Sequence, residues 1–321
     1  MEKAEDGVPS SSADGQANAF PRMQHLFVMR HGDRLDDADH NWTFKAPRPW
    51  DPPITDVGKR RARRAGRTLR HQGLNITRVI CSPFLRCVQT ASEVIIGLCS
   101  LDPSDDDAAE VAIDPSKVKV QCSPLCLIYP SKNLSKKNVV ADALSRKPQI
   151  SAVSIPYHNE LDDMREQYAN VSIEYGLCEV MNSYAIRVPQ MPPTGPTIME
   201  LDDLEALLPA GTVDDTVPKL LAKLPDWRET LDASHKRYVE TFQAIADMFP
   251  GENVLCVTHG EGVSVSVTHH QTVTVYQVRY CAISHLQRPI HNLATPPAAG
   301  PFELLTEPGD ESGLSFSKRT L

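Results

Sequence analysis

Two arginines flank a histidine where an apolar run ends: "LFVMRHGDRLD", residues 26–36, sets Arg30, His31, Gly32, Asp33 and Arg34 in a row. Guanidiniums keep their charge, and an imidazole can act through one nitrogen while a hydrogen bond pins the other. Such a group expects an anion. A phosphomonoester hydrolase working without a metal needs a nucleophile, cations for the phosphoryl oxygens and a proton donor for the leaving group. His31 can be the nucleophile, and the flanking arginines would spread charge over a loose transition state. Gly32 leaves room for close backbone approach. Alone, the tripeptide fits a strand-end histidine between solvated arginines equally well. Two further segments change the balance: "CSPFLRCVQTA" (81–91) sets Arg86 early in a helix, and "VTHGEGV" (257–263) sets His259 at another strand end.

These residues need elements that bring them together. "HLFVMR", "RVICS", "VLCVTH" and "VTVYQVRYCAISHL" are rich in Val, Ile and aromatics and read as strands. Between them, "TDVGKRRARRAGRTLRHQG" reads as a helix capped by Thr55 and closed at Gly73, with Ala62, Ala65 and Leu69 on one small apolar face. "SHKRYVETFQAIADMFPGEN" places Tyr238, Phe242, Ile245 and Phe249 at helical spacing before a Pro-Gly stop. Alternating strands and helices predict an α/β fold: a mainly parallel central sheet with helices on both faces. Ligands in such sheets bind beyond the carboxyl ends of the strands, where Arg30-His31 and His259 would lie.

A strand-end RHG, an SP-x-x-R-x-x-x-TA segment and a later strand-end HG together resemble the histidine phosphatase superfamily, with its phosphoglycerate mutase-like fold. "PITDVGKRRA" is similar to the T-x-x-G-x-x-A helix that follows the first motif in that family. The resemblance spans most of residues 22 to 288. It implies that His31 is the phosphorylated nucleophile, and that Arg30, Arg86 and His259 form the phosphate pocket. His259 is also implied in catalysis. Arg34 extends the pocket in the subgroup whose first motif reads RHG-acid-Arg, which includes the TULA-type phosphatases. Asp33 stands where many relatives have Glu and is not expected to be catalytic.

Glu160, Glu174 and Glu179 are the candidate proton donors. "SIEYGLCEVMN" (172–182) looks like the family's E-x-G-L-x-E segment, whose second glutamate faces the phosphate, which selects Glu179. An apolar neighbour such as Leu177 would help to keep it protonated near neutrality. Glu174 reads as structural.

The remaining composition narrows the function further. A formal charge of -8 over 321 residues argues against nucleic acid as a general partner. No apolar run is long enough to cross a bilayer, so no membrane partner is expected. Eight cysteines, several inside strand-like runs, read as free cytosolic thiols rather than a disulfide framework. "CSPLC" lacks a second Cys/His pair at a finger-like spacing, and neither a metal nor a cofactor is expected. "KRRARR" (59–64) reads as a solvated helix face, although it also fits a nuclear localisation signal. A cytoplasmic location follows. His269 and His270 have no partner motif and read as surface residues. Trp42 and Trp50 flank a Pro-rich loop expected to wall the substrate entrance.

One stretch does not belong to this pattern. "KNVVADALSRKPQ" (137–149) closely resembles the end of the RNase H region of gypsy-type retrotransposon polyproteins. Asp142 matches one carboxylate of that region, but metal-assisted phosphodiester cleavage needs several. The chain therefore divides into a disordered tail over 1–21, a phosphatase domain over 22–288 and an irregular Pro/Ala-rich tail over 289–321. An exposed, poorly ordered, transposon-like insert is expected over 121–170. The predicted function is hydrolysis of a phosphorylated small molecule or phosphotyrosine through a phosphohistidine. The rivals are a catalytically impaired phosphate-binding or interaction module and a mutase-type phosphotransferase. The mutase is disfavoured because "DRLDDADHNW" departs from the acid-Ser and nearby Trp-Asn continuation of dedicated mutases.

Overall fold

The structure, a computed structural model, describes residues 22–99, 170–188 and 191–318. The expected N-terminal tail, Asp142, Glu160, the "CSPLC" pair and the insert apart from Asn170 lie outside these residues. Chain order is β1 (Arg22–Arg30), α1 (Leu35–Ala38), α2 (Trp42–Lys45), α3 (Asp56–His71), β2 (Ile76–Cys81), α4 (Leu85–Cys99) and β3 (Asn170–Ile173). It continues with α5 (Leu201–Glu205), α6 (Leu231–Met248), β4 (Asn253–Thr258), α7 (Gly260–Thr268), β5 (Val273–Val278) and β6 (Ile283–Asn292). Three short strands follow: β7 (Ala298–Ala299), β8 (Glu303–Leu304) and β9 (Leu314–Lys318).

The main sheet runs β3-β2-β4-β1-β6-β7, with β8 also on β6. Its first four strands are parallel, as expected, and β6 lies antiparallel to β1, so the sheet as a whole is mixed. Burial explains the division. Leu26–Met29, Val79–Cys81 and Val254–Thr258 are continuously buried, as strands covered on both faces must be. In β6 burial alternates, with Ser284, Leu286, Arg288 and Ile290 inward, the pattern of an antiparallel strand near an edge.

Side chains alternate across the sheet and meet helices on both faces. Phe27 and Met29 pack with Ala62 and Leu69 of α3 and Val88, Val94 and Ile95 of α4. Leu26 and Val28 pack with Tyr238, Phe242 and Ile245 of α6 and Val263 and Val267 of α7. Thr55 caps α3 by accepting the Gly58 N–H at 3.0 Å, and Gly73 follows its end at φ +71°. α3 and α4 touch backbone to backbone: a methyl group at Gly66 would collide with the Val94 carbonyl, and one at Gly97 with the Arg63 carbonyl.

The run "VTVYQVRYCAISHL" is two strands. It breaks at residues 279–282, where Cys281 takes φ +59°, and β5 leaves to pair with β9 in a second sheet. The stretch after 289, expected to be irregular, completes β6 and contributes β7, β8 and β9. Its apolar positions have sheet edges to join: Leu304 pairs with Leu286, and Leu314 with Val278. Among the described residues no helix is long and apolar enough to cross a membrane.

Candidate active site

The carboxyl ends of the four parallel strands supply the site. β1 ends at Arg30 and hands on His31; β4 ends at Thr258 and hands on His259; β2 leads through Ser82 into α4 and Arg86; β3 leads to Glu174 and Glu179. α7 begins at Gly260, so the unpaired N–H groups of its first turn lie at the same edge.

His31 is 2% exposed. Its Nδ1 lies 2.9 Å from the Gly32 carbonyl, an acceptor, so Nδ1 carries the proton and Nε2 the lone pair. Arg86 Nε donates to that Nε2 at 3.2 Å. Burial, then the charges of Arg86, His259 and Arg30, push the His31 pKa well below its ordinary value, and the ring is neutral at pH 7. Thr90 fixes the loop from α4: its Oγ1 accepts the Gly32 N–H at 2.9 Å and donates to the Arg86 carbonyl at 2.6 Å.

Arg86 is the hub. Its Nη2 stands 3.2 Å from His259 Nδ1 and 3.5 Å from Glu179 Oε2, and its Nη1 stands 3.6 Å from Asp51 Oδ1. His259 is fully buried, with Nδ1 also 3.3 Å from Glu179 Oε2 and Nε2 2.9 Å from Ser82 Oγ. A proton on Nδ1 serves Glu179 and leaves Ser82 to donate to Nε2. A bare Nδ1 accepts from Arg86, and Nε2 then donates to Ser82. Burial pushes His259 down to about 4, against the pull of Glu179.

Burial alone would raise the Glu179 pKa, but His259 and Arg86 hold it well below the ordinary carboxylate range. Glu179 is thus ionised at neutral pH, contrary to the expectation that Leu177 keeps it protonated. Leu177 is buried in the core under the sheet, where its carbonyl accepts from Thr258 Oγ1 at 2.7 Å. Glu174 is spent on backbone: its carboxylate accepts N–H bonds from Gly176 at 2.8 Å, Leu220 at 2.8 Å and Leu221 at 3.1 Å.

His31, Arg86, His259 and Glu179 therefore converge. Arg30 lies beside them, its Nη1 donating to the Val278 carbonyl at 2.6 Å, its guanidinium 4.0 Å over the Tyr280 ring, and its buried Nε without a hydrogen-bond partner. Arg34 stands further out, held by Asp36 at 2.9 Å. A cavity of about 1330 Å³ opens over Arg30, Arg34 and Glu179, walled elsewhere by Met191, Pro192 and Trp227. Neither Trp42 nor Trp50 lines it. Trp50, like Trp227 and Met191, packs against the buried cluster of Phe84, Cys178, Met181 and Ile186, and its Nε1 donates to the Thr197 carbonyl at 2.6 Å. Of the basic run, Arg61 reaches Asp33 at 3.3 Å and Arg63 reaches Glu93 at 2.7 Å.

Sequence reasoning missed Asp51, Ser82, Thr90 and Tyr280. Ser82 and Thr90 lie inside "CSPFLRCVQTA", where a polar residue beside an expected anion site is a readable signal. Asp51 and Tyr280 carry no local signal.

The model of the histidine phosphatase superfamily (branch 1) matches residues 26–108. This match covers less than half of the chain. Ubiquitin-associated and SH3 domain-containing protein B of Mus musculus is 29% identical over 157 residues, covering 39% of this chain and 24% of that protein. Ecdysteroid-phosphate phosphatase of Drosophila melanogaster is 28% identical over 103 residues, covering 24% of this chain and 14% of that protein. The matched stretches thus span a quarter or less of these relatives. Among solved structures, the ecdysone phosphate phosphatase of Bombix mori in complex with tungstate shares the fold. It has a TM-score of 0.50 and 20% identity, over 89% of this chain and 97% of that one. The described residues have the α/β architecture expected from the sequence, with the sheet mixed.

Proposed function

We propose that this chain hydrolyses phosphomonoesters through a phosphohistidine on His31, with Glu179 as proton donor and without a metal. One observation carries the reading: His31 is neutral, with Nδ1 tied to the Gly32 carbonyl and the lone pair of Nε2 directed at Arg86. In the first step Nε2 forms a bond to phosphorus as the ester oxygen leaves with a proton from Glu179. In the second, water attacks the phosphohistidine, Glu179 takes the water's proton, and phosphate and neutral His31 are released. Arg30, Arg34 and Arg86 supply the positive charge for the phosphoryl oxygens, and His259 completes the pocket.

Glu179 is ionised before substrate arrives, so the proton must come with the substrate. A phosphomonoester has a second pKa near about 6. Its monoanion together with a carboxylate holds the same protons as its dianion together with a carboxylic acid. A phosphoryl group placed among Arg86, His259 and Glu179 draws the cations to itself and raises the carboxyl pKa, which favours the second form. The wide cavity suits a leaving group larger than a methyl or ethyl ester, and the named activities of the insect relatives, on ecdysteroid or ecdysone phosphates, belong to that class.

The test is turnover of para-nitrophenyl phosphate by purified protein, with and without EDTA. Equal rates in both conditions, with an acid-labile phosphoryl label trapped on His31, support the reading. A protein that binds inorganic phosphate but turns over no monoester is the impaired binding module instead.

A further inference from the structure

Asp51 lies in the loop before α3 and reaches a different nitrogen of Arg86 from those that face His31, His259 and Glu179. Its Oδ1 stands 3.6 Å from Arg86 Nη1 and accepts the N–H of Leu85, the first residue of α4, at 2.8 Å. Arg86 Nη1 and Asp51 Oδ2 are buried with no hydrogen-bond partner, and the two residues are 1% and 2% exposed. The loop is bound to its surroundings at three further points. Ile54 N–H donates to Gln89 Oε1 at 2.9 Å, Leu35 N–H to the Pro53 carbonyl at 2.9 Å, and Thr55 N–H to the Asp33 carbonyl at 2.8 Å. Asp51 is not among the residues that line the cavity.

A buried carboxylate this close to a phosphate pocket opposes the binding of a dianion, so ground-state binding gives no reason for it to be there. A reason appears once Arg86 is considered. The arginine is asked to turn Nε and Nη2 toward a phosphoryl group while it is drawn sideways by Glu179. An opposite charge on Nη1 holds the third corner of the guanidinium and fixes its plane.

We propose that Asp51 is a positioning residue for Arg86, holding its guanidinium so that Nε and Nη2 face the transferring phosphoryl group. The proposal rests on the phosphatase reading. Burial pushes the Asp51 carboxyl up to about 6 against the charge of Arg86, the Leu85 N–H bond and the charges of Arg48 and Arg34, so its charge is held at a cost that these partners offset only in part.

Asp51→Asn tests this, because the amide oxygen can still accept the Leu85 N–H while the charge is gone. We expect kcat to fall about 10-fold to 100-fold, the scale of a displaced catalytic group, with KM and melting temperature little changed. In a cycle with Arg86→Lys, the Asn change should cost little further, because the group it positions is already absent. Unchanged kcat, or additive losses in the cycle, overturns the proposal. Should Asp51→Asn melt early, Asp51→Ser, which removes the charge with a smaller side chain, repeats the test; early melting of both assigns Asp51 to the fold and overturns it. Wild-type turnover in the same assay reports separately on the phosphatase reading. If the wild type is inert, binding of inorganic phosphate by calorimetry still decides on Asp51. The Asn variant should bind no tighter despite losing a nearby negative charge, and tighter binding overturns the proposal.

Discussion

Arg86 Nε donates to His31 Nε2 across 3.2 Å while Nδ1 of the same ring is tied to the Gly32 carbonyl. Both ring nitrogens are thereby fixed, and the lone pair proposed to attack phosphorus is held by the cation proposed to receive the phosphoryl oxygens. On the proposed mechanism substrate exchanges one acceptor for another: the Arg86 Nε–H passes from nitrogen to a phosphoryl oxygen, and Nε2 is released as phosphorus arrives.

His31→Ala is expected to abolish para-nitrophenyl phosphate turnover and the acid-labile phosphoryl label together, with the circular dichroism spectrum unchanged. Residual label in the alanine variant places the covalent bond on another residue.

Glu179→Gln is expected to slow hydrolysis of alkyl phosphates by about 10²-fold or more, the usual scale for general acid–base catalysis. It should do less with para-nitrophenol, which leaves without a proton. Equal losses on both substrates, or a larger loss from Glu174→Gln, would show that the proton comes from elsewhere.

The kcat/KM profile should fall as pH rises through about 6, because the proton needed by Glu179 is carried by the substrate monoanion. The limb belongs to the substrate, so it should move when an ester of different phosphate pKa is used. A limb that stays fixed assigns the proton to an enzyme group.

Stability should decline on acidification. His259 falls to about 4 from an ordinary 6.5, and His31 is also lowered, so the unfolded chain takes up these protons first. Their neutral forms are fully accommodated above 6.5, and stability is lost as pH falls from there through about 4. Glu179, held low, adds a further loss below its ordinary 4.5. Asp51, raised to about 6, works the other way and gains stability as pH falls from there. Two histidines outweigh one aspartate, so the melting temperature should drop between pH 7 and pH 5, and drop less in His259→Gln. A level or rising melting temperature contradicts the assigned shifts.

Much of this was legible in the residues themselves. Strand-end positions for His31 and His259, the Thr55 cap and the apolar face of α6 all follow from local patterns. The direction of β6 was not legible, since alternation reports one buried face and not the neighbour that supplies the backbone bonds. Nor was the break at residues 279–282, which contains neither Gly nor Pro and depends on Cys281 at φ +59°. Asp51 and Tyr280 act on residues distant in sequence, and no local spacing announces them. The charge on Glu179 was misjudged for the same reason: Leu177 is its sequence neighbour, whereas Arg86 and His259 surround it in space.

The glycine contact between α3 and α4 has a bearing on how this domain tolerates change. α4 carries Arg86 and Thr90, while Gly58 of α3 lies against the backbone of Asp33. The spacing of the two helices therefore helps to set where the nucleophile loop sits relative to Arg86. A saturation library ranked by turnover should score Gly66 and Gly97 as sensitive as residues at the cavity, although neither lines it. Intolerance in such a map is a record of helix spacing as much as of chemistry.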